Sequence, residues 1–273
     1  MKQQPIGIFD SGYGGLTVLK EIAAKLPQYD YLYLGDNARS PYGTRSFETV
    51  YEYTLGCVKW LFEQGCSLVI LACNTASAKA LRSIQQNDLG KIDPAKRVLG
   101  VIRPTTEIIG QFTKTGHVGI LATTGTVISN SYPIEIQKFY PELNVFQEAC
   151  PMWVPLVENN EYNSPGADYF IQKNIHNLLQ QSNQIDTVLL ACTHYPLLIE
   201  KIKKIVPAGV SILSQGEIVA KSLKAYLEKH PEIEDKCSKN AQISFFTTDS
   251  TEDFDNHAAV FYGSQVKSVH LAL

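Results

Sequence analysis

The sequence predicts an α/β protein of two similar doubly wound domains, with mostly parallel sheets and an active site in the cleft between them. Two features lead there. Short β-rich runs alternate with longer segments of helical period, and two strand-to-loop junctions of the first part recur in the second. The chain has 273 residues, 44% of them hydrophobic, which is enough to bury a large core in one large or two small domains.

Pro5 to Phe9 is the first apolar run, and a glycine-rich loop joins it to the helical period of Leu16 to Leu26. Tyr31 to Leu34 is the second. Leu68 to Ala72 is the third, followed by helical Ser77 to Gln86. Val98 to Ile102, Val118 to Ala122, Val188 to Ala191 and Val210 to Leu213 continue the series. Folds of this kind hold ligands at the carboxyl ends of their strands, where loops enter helices.

The repeat lies at those loops. Leu68-Val-Ile-Leu-Ala-Cys73-Asn-Thr75 matches Thr187-Val-Leu-Leu-Ala-Cys192-Thr-His194 at an offset of 192 − 73 = 119. Ile6-Gly-Ile-Phe-Asp-Ser11-Gly12 matches Val118-Gly-Ile-Leu-Ala-Thr123-Thr124 more weakly, at 118 − 6 = 112. Each half thus ends one strand in an Ala-Cys-polar turn and another in a hydroxyl-bearing turn. Two such halves facing each other about a pseudo-twofold axis bring their cysteines together across a cleft. The borders are expected near Leu99 and Pro207, giving a first domain of residues 1–98 and 208–273 and a second of 99–207.

An isolated Ala-Cys at a strand end is ordinarily a small apolar packing residue. Repetition in both halves, beside Asn74, Thr75, Thr193 and His194, points instead to two working thiols. Each is expected at the start of a helix, where a thiol's pKa falls from about 8.5 and the basic thiolate is favoured. The loop Asp10-Ser-Gly-Tyr-Gly-Gly15 is placed to offer backbone N–H groups to an anion. It is no dinucleotide or phosphate loop, because Thr17 stands where the last glycine belongs and no Gly-Lys-Ser/Thr follows. Asp10 is read as capping the helix, assisting Cys73, or both. His194, two residues from Cys192, is either a proton-transfer group or a structural histidine. Ser40-Pro-Tyr-Gly43 reads as a turn, and Glu158 as an ordinary solvated helix residue.

Composition narrows the partners. A net charge of −3 offers no broad basic face for nucleic acid. The first apolar stretch is too short for a signal peptide and no later run reaches membrane-spanning length, so a cytoplasmic protein is expected. Six cysteines without a C-x-x-C pair predict free thiols, with neither a disulfide scaffold nor a metal site.

Asp10-Ser-Gly-x-Gly-Gly, Asp36-Asn-x-x-x-Pro41-Tyr-Gly43, Ala72-Cys-Asn-Thr-Ala-Ser77, Gly100-Val-Ile-x-Pro104 and Cys192-Thr-His-Tyr-Pro196 stand in order along the chain. With Phe254-x-x-x-Ala258-x-x-Phe261-x-Gly263 at the end, they resemble the glutamate racemases of bacterial cell-wall synthesis, within the wider aspartate/glutamate racemase family. The resemblance implies two flavodoxin/Rossmann-like domains and cofactor-independent interconversion of L- and D-glutamate, supplying D-glutamate for peptidoglycan. It implies that thiols on opposite faces of Cα remove and deliver the proton, Cys73 serving the D-enantiomer and Cys192 the L-enantiomer. Asp10 assists the first, and His194 with Glu158 the second. Asp10, Ser11, Tyr42, Gly43, Asn74, Thr75, Thr123, Thr126, Thr193 and His194 match substrate-binding positions, and a homodimer is the implied assembly. The usual Gly-Thr-x-x-Thr loop is Ala122-Thr-Thr-Gly-Thr126 here, keeping both outer threonines. Only six residues precede Gly7, so activation by a peptidoglycan precursor bound to an N-terminal extension is not expected. Two alternatives stand beside this reading: an aspartate racemase with the same thiol chemistry and a shorter pocket, and a two-lobed amino-acid binding protein, which has no need of paired thiols.

Overall fold

The structure is a computed structural model describing residues 4–273, so the first three residues of the predicted first domain lie outside the described residues. Among the described residues ten strands form two sheets. Strands β1 (Ile6–Asp10), β2 (Tyr31–Gly35), β3 (Leu68–Leu71), β4 (Arg97–Gly100), β9 (Ile243–Thr247) and β10 (Ser268–His270) make the larger, in the order β10-β9-β2-β1-β3-β4. Strands β5 (His117–Ala122), β6 (Asn144–Ala149), β7 (Thr187–Ala191) and β8 (Ser211–Leu213) make the smaller, in the order β6-β5-β7-β8. Every pairing is parallel.

The two orders share the pattern 2-1-3-4, with β1 to β4 answering β5 to β8. Gly7 pairs with Val69 in the first sheet and Gly119 with Val188 in the second, so the repeat seen in sequence is also a repeat of register. In this topology the order reverses between β1 and β3, and again between β5 and β7. Crevices at such reversals are where doubly wound sheets hold ligands. Asp10 and Cys73 stand at the first, Thr123 and Cys192 at the second.

The strands change sheet after Gly100 and after Leu213. Val210 to Leu213, expected beyond the second border at Pro207, pairs with β7 through Val188↔Ile212 and continues the second sheet. Its short, half-exposed sequence gives no periodicity by which to assign it. The runs at β6, β9 and β10 are not among those read from sequence, because they are half-buried or edge strands with mixed polarity.

Residues alternate across the larger sheet as a pleat requires. Ile6, Ile8, Tyr31, Tyr33, Leu68 and Ile70 face one apolar layer, while Phe9, Leu32, Leu34, Val69 and Leu71 face another. Helices Leu16–Lys25, Gly216–Lys229 and Thr251–Tyr262 pack together over the first face, and Phe47–Glu63 covers the second. The first layer runs on into the smaller sheet through Leu121, Val188 and Leu190, so one core crosses both halves. Among the described residues no helix is long and apolar enough to cross a membrane.

Candidate active site

Cys73 follows β3 and caps the helix Asn74–Lys79, its Sγ accepting the Ala76 N–H at 3.4 Å. It is 6% exposed, and Ser11 Oγ lies 3.4 Å from the same sulfur. Burial, with the charge of Asp10 behind it, pushes this thiol up to about 12. The lowered pKa expected from sequence is therefore overturned. A six-residue helix has too weak a terminal field to offset full burial beside a carboxylate. Cys73 rests as a neutral S–H, the donor form.

Asp10 ends β1, fully buried, with Oδ2 accepting the Gly12 N–H at 3.0 Å. Burial raises its carboxyl to about 6, against the opposing pull of His194 and of the Gly15 and Gly12 amides. The loop amides expected to greet an external anion thus brace the protein's own carboxylate. Among the described residues Asp10 Oδ1 is buried without a hydrogen-bond partner.

Cys192 directly follows β7 and is also 6% exposed. It does not begin an α-helix: a single 3₁₀ turn, Tyr195–Leu198, intervenes before the helix Ile199–Ile205. Its partner is a side chain. His194 Nδ1 lies 3.9 Å from the sulfur, and His194 donates Nε2–H to Glu158 Oε1 at 3.0 Å. Burial alone favours neutral imidazole, but the contacts to Cys192 and Glu158 outweigh it and push His194 up to about 10. Glu158 reaches this place from the last turn of the helix Trp153–Glu158. Nothing local in sequence revealed it, because the neighbours that matter come from β7 and from Gly12, where an added Cβ would lie 3.5 Å from Glu158 Oε1.

The halves interlock around this pair. An added Cβ at Gly14 would fall 2.2 Å from Thr193 Oγ1 and 2.4 Å from His194 Nδ1, so only glycine lets the β1 loop lie on the Cys192 turn. Thr75 Oγ1 is 2.9 Å from Thr123 Oγ1, which in turn is 3.1 Å from Thr126 Oγ1. Gly43 O accepts the Gly125 N–H at 2.7 Å. The Tyr42 hydroxyl is directed away, donating to Asp36. Asn74 donates Nδ2–H to Gln215 Oε1 at 2.7 Å and accepts from Tyr132 OH at 2.6 Å. Tyr132 and Gln215, remote in sequence and outside every motif, carried no signal that could have placed them here.

Cys73 with Asp10 and Ser11 from one sheet, and Cys192 with His194 and Glu158 from the other, are thus brought together where the two halves meet, with Gly14 of the first loop against Thr193 and His194 and Gly12 against Glu158. The chemistry available is proton transfer from two sides. All six cysteines are free, and among the described residues no group of three or more metal-binding side chains converges.

The chain is similar to the glutamate racemase of Listeria monocytogenes, 38% identical over 94% of this chain and 93% of that protein. It superposes on the crystal structure of a glutamate racemase isoform from Bacillus anthracis with a TM-score of 0.90, at 34% identity over 100% and 99% of the two chains. A Francisella tularensis glutamate racemase, crystallised with D-glutamate, gives a TM-score of 0.88 at 29% identity, over 100% and 98%. Residues 12–223 match the Asp/Glu/Hydantoin racemase family, and with this site at the meeting of two parallel sheets the chain belongs to that family.

Proposed function

We propose that the protein interconverts L- and D-glutamate by moving the Cα proton between Cys73 and Cys192. The observation that supports the proposal is the pair of buried strand-end thiols, one from each sheet, with unlike partners: Ser11 beside Cys73 and His194 beside Cys192. In the L-to-D direction Cys192, as thiolate, takes the α-proton. The electron pair stays on Cα and spreads into the carboxylate. The Cys73 S–H then delivers its proton to the other face and is left as thiolate, and the reverse reaction exchanges the roles. His194, held by Glu158, is the charge partner of the sulfur at one wall, and Asp10 is the proton-sharing group at the other.

An amino acid's α-proton is far less acidic than a thiol, so the carbanion-like state needs preorganised hydrogen bonds in a site closed to water. Ser11, Asn74, Thr75, Thr123, Thr126, Thr193 and the backbone at Tyr42 and Gly43 are assigned to hold the substrate. The reading carries with it two lobes hinged at the sheet crossovers, D-glutamate supply for peptidoglycan, and a homodimer in the cytoplasm. Six free buried thiols fit that reducing compartment.

Incubating the purified protein with each enantiomer of glutamate in heavy water is expected to give product deuterated at Cα, with aspartate turned over far more slowly. Full racemisation by Cys73→Ala or Cys192→Ala would overturn the two-thiol mechanism. Faster turnover of aspartate would overturn the substrate.

A further inference from the structure

Asn74, the residue after Cys73, is 2% exposed, and both ends of its amide are engaged. Its Nδ2–H goes to Gln215 Oε1 at 2.7 Å. Gln215 Nε2 donates to Tyr132 OH at 2.7 Å. The Tyr132 hydroxyl then donates to Asn74 Oδ1 at 2.6 Å, which closes a ring of three hydrogen bonds running in one sense. All three side chains are buried, where a misdirected donor or acceptor is costly.

The sense of the ring is fixed from outside it. Gln215 Nε2 also faces the Val101 carbonyl oxygen and Thr105 Oγ1, each at 3.1 Å. A backbone carbonyl only accepts, so that end of Gln215 is the NH2 group and the other is the oxygen. With Gln215 oriented, Tyr132 receives a hydrogen and must pass its own to an acceptor, and Asn74 presents its oxygen to Tyr132 and its nitrogen to Gln215. Turning the Asn74 amide over would set its oxygen against Gln215 Oε1, two acceptors face to face, and leave the Tyr132 hydroxyl without the acceptor it has here.

Among the described residues the Asn74 amide makes no other hydrogen bond, which leaves it one N–H and one lone pair to match the carboxylate and ammonium of an amino-acid zwitterion. The anchors come from both crossovers between the sheets: Val101 follows β4 and Gln215 follows β8. Tyr132 belongs to the helix Ser131–Phe139 of the second half.

We propose that Tyr132 and Gln215 are positioning residues that set the donor and acceptor sense of Asn74 for the substrate's charged groups. They touch no reacting atom. The inference rests on the glutamate reading of the site and deepens it. A prepositioned amide is used equally in ground state and transition state, so its loss raises KM and leaves kcat nearly unchanged.

The test is a double-mutant cycle of Asn74→Ala and Tyr132→Phe, with kcat and KM measured for both enantiomers and folding checked by melting. Tyr132→Phe keeps the ring packed and removes only the hydroxyl. It is expected to raise KM about fivefold to tenfold with kcat within about twofold, as for one buried hydrogen bond. Asn74→Ala is expected to raise KM at least as much, and adding Tyr132→Phe to it should cost almost nothing more, because a group acting through Asn74 has nothing left to act on. Additive effects, or a Tyr132→Phe loss confined to kcat, would overturn the inference. An Asn74→Ala variant with the parent KM would overturn the assignment of Asn74 to substrate, and the inference with it. A parent protein that does not racemise glutamate would overturn the functional reading itself. Should Tyr132→Phe melt below the assay temperature, Gln215→Glu replaces it in the cycle: an ionised carboxylate cannot donate to Val101 O, and the same non-additive rise in KM is expected.

Discussion

At the scale of single residues, the two thiols are alike in position and unlike in surroundings. Cys73 is a neutral donor beside an acid that titrates near 6. Cys192 sits beside a histidine held charged to about 10. Enantiomers in water have equal free energy, so any variant must keep kcat/KM equal in the two directions. A one-sided lesion shows instead in isotope effects. Replacing either cysteine with Ser is expected to lower turnover by about 10² to 10⁴. If residue 73 removes the proton of D-glutamate, as proposed, the effect of α-deuteration in Cys73→Ser should grow with D-glutamate and shrink with L-glutamate, for which removal would no longer limit. Cys192→Ser should reverse the pattern. Competition with α-deuterated substrates checks this, and identical changes in both variants would sink it. The same two neighbours set the pH range. Activity is expected to fall below about 6 as Asp10 takes up a proton and above about 10 as His194 loses one. An Asp10→Asn variant should lose the acid limb of the profile and keep the alkaline one. Stability follows the sign of each shift. The folded state holds His194's proton between 6.5 and about 10, where the unfolded chain has lost it, so this contribution is full below 6.5 and gone above 10. Asp10 is likewise raised, from 3.8 to about 6, so its ionisation on that interval works against folding. A urea series across pH should show stability falling through both windows.

At the scale of elements, the loops matter more than the strands they follow. Gly14 shows how tightly the β1 loop is fitted: a methyl group there meets Thr193 Oγ1 and the His194 ring, both buried. Gly14→Ala is expected to displace the Cys192 turn by a fraction of an ångström or more and to lower kcat about 100-fold, the usual result of misplacing catalytic groups. Gly56 is the control. It lies within the helix Phe47–Glu63 with nothing within 4 Å of an added Cβ. Gly56→Ala should leave turnover intact and stabilise the protein by about 0.5–1 kcal/mol, measured by chemical denaturation. The contrast marks what the sequence could reveal. The Ala-Cys repeat was legible because strand-to-loop junctions are local, and the register Gly7↔Val69 against Gly119↔Val188 reproduces it in space. The titration of Cys73 was not legible, since burial depends on everything packed around it. Glu158 and the Tyr132–Gln215 pair come from elements distant in sequence, so no spacing rule reaches them. Cys192 was read as a helix start because it mirrors Cys73, and there the repeat misled: after Thr193-His194 the chain makes a 3₁₀ turn around Pro196.

At the scale of the molecule, two sheets share one continuous apolar layer and one polar cleft. The shared layer runs from Ile6 and Tyr33 in the larger sheet to Leu121 and Leu190 in the smaller. Contacts between the facing loops are largely polar, among them Thr75 with Thr123, Gly43 with Gly125 and Thr17 with the Thr193 carbonyl. A core common to both halves favours a single cooperative unfolding transition, while a polar cleft permits the opening by which substrate enters. Ligand bound between the halves stabilises only the folded, closed arrangement. At about 100 times its Kd a ligand adds about 2.7 kcal/mol. For a chain of this size each kcal/mol shifts the midpoint by about 2–4 °C. D-Glutamate at that concentration is therefore expected to raise the melting temperature by roughly 5–10 °C while keeping one transition. Scanning calorimetry distinguishes the outcomes. If glutamate instead moved one of two resolved transitions and left the other in place, its contacts would be confined to a single half, and the assignment of Cys73 and Cys192 to opposite faces of one bound substrate would be lost.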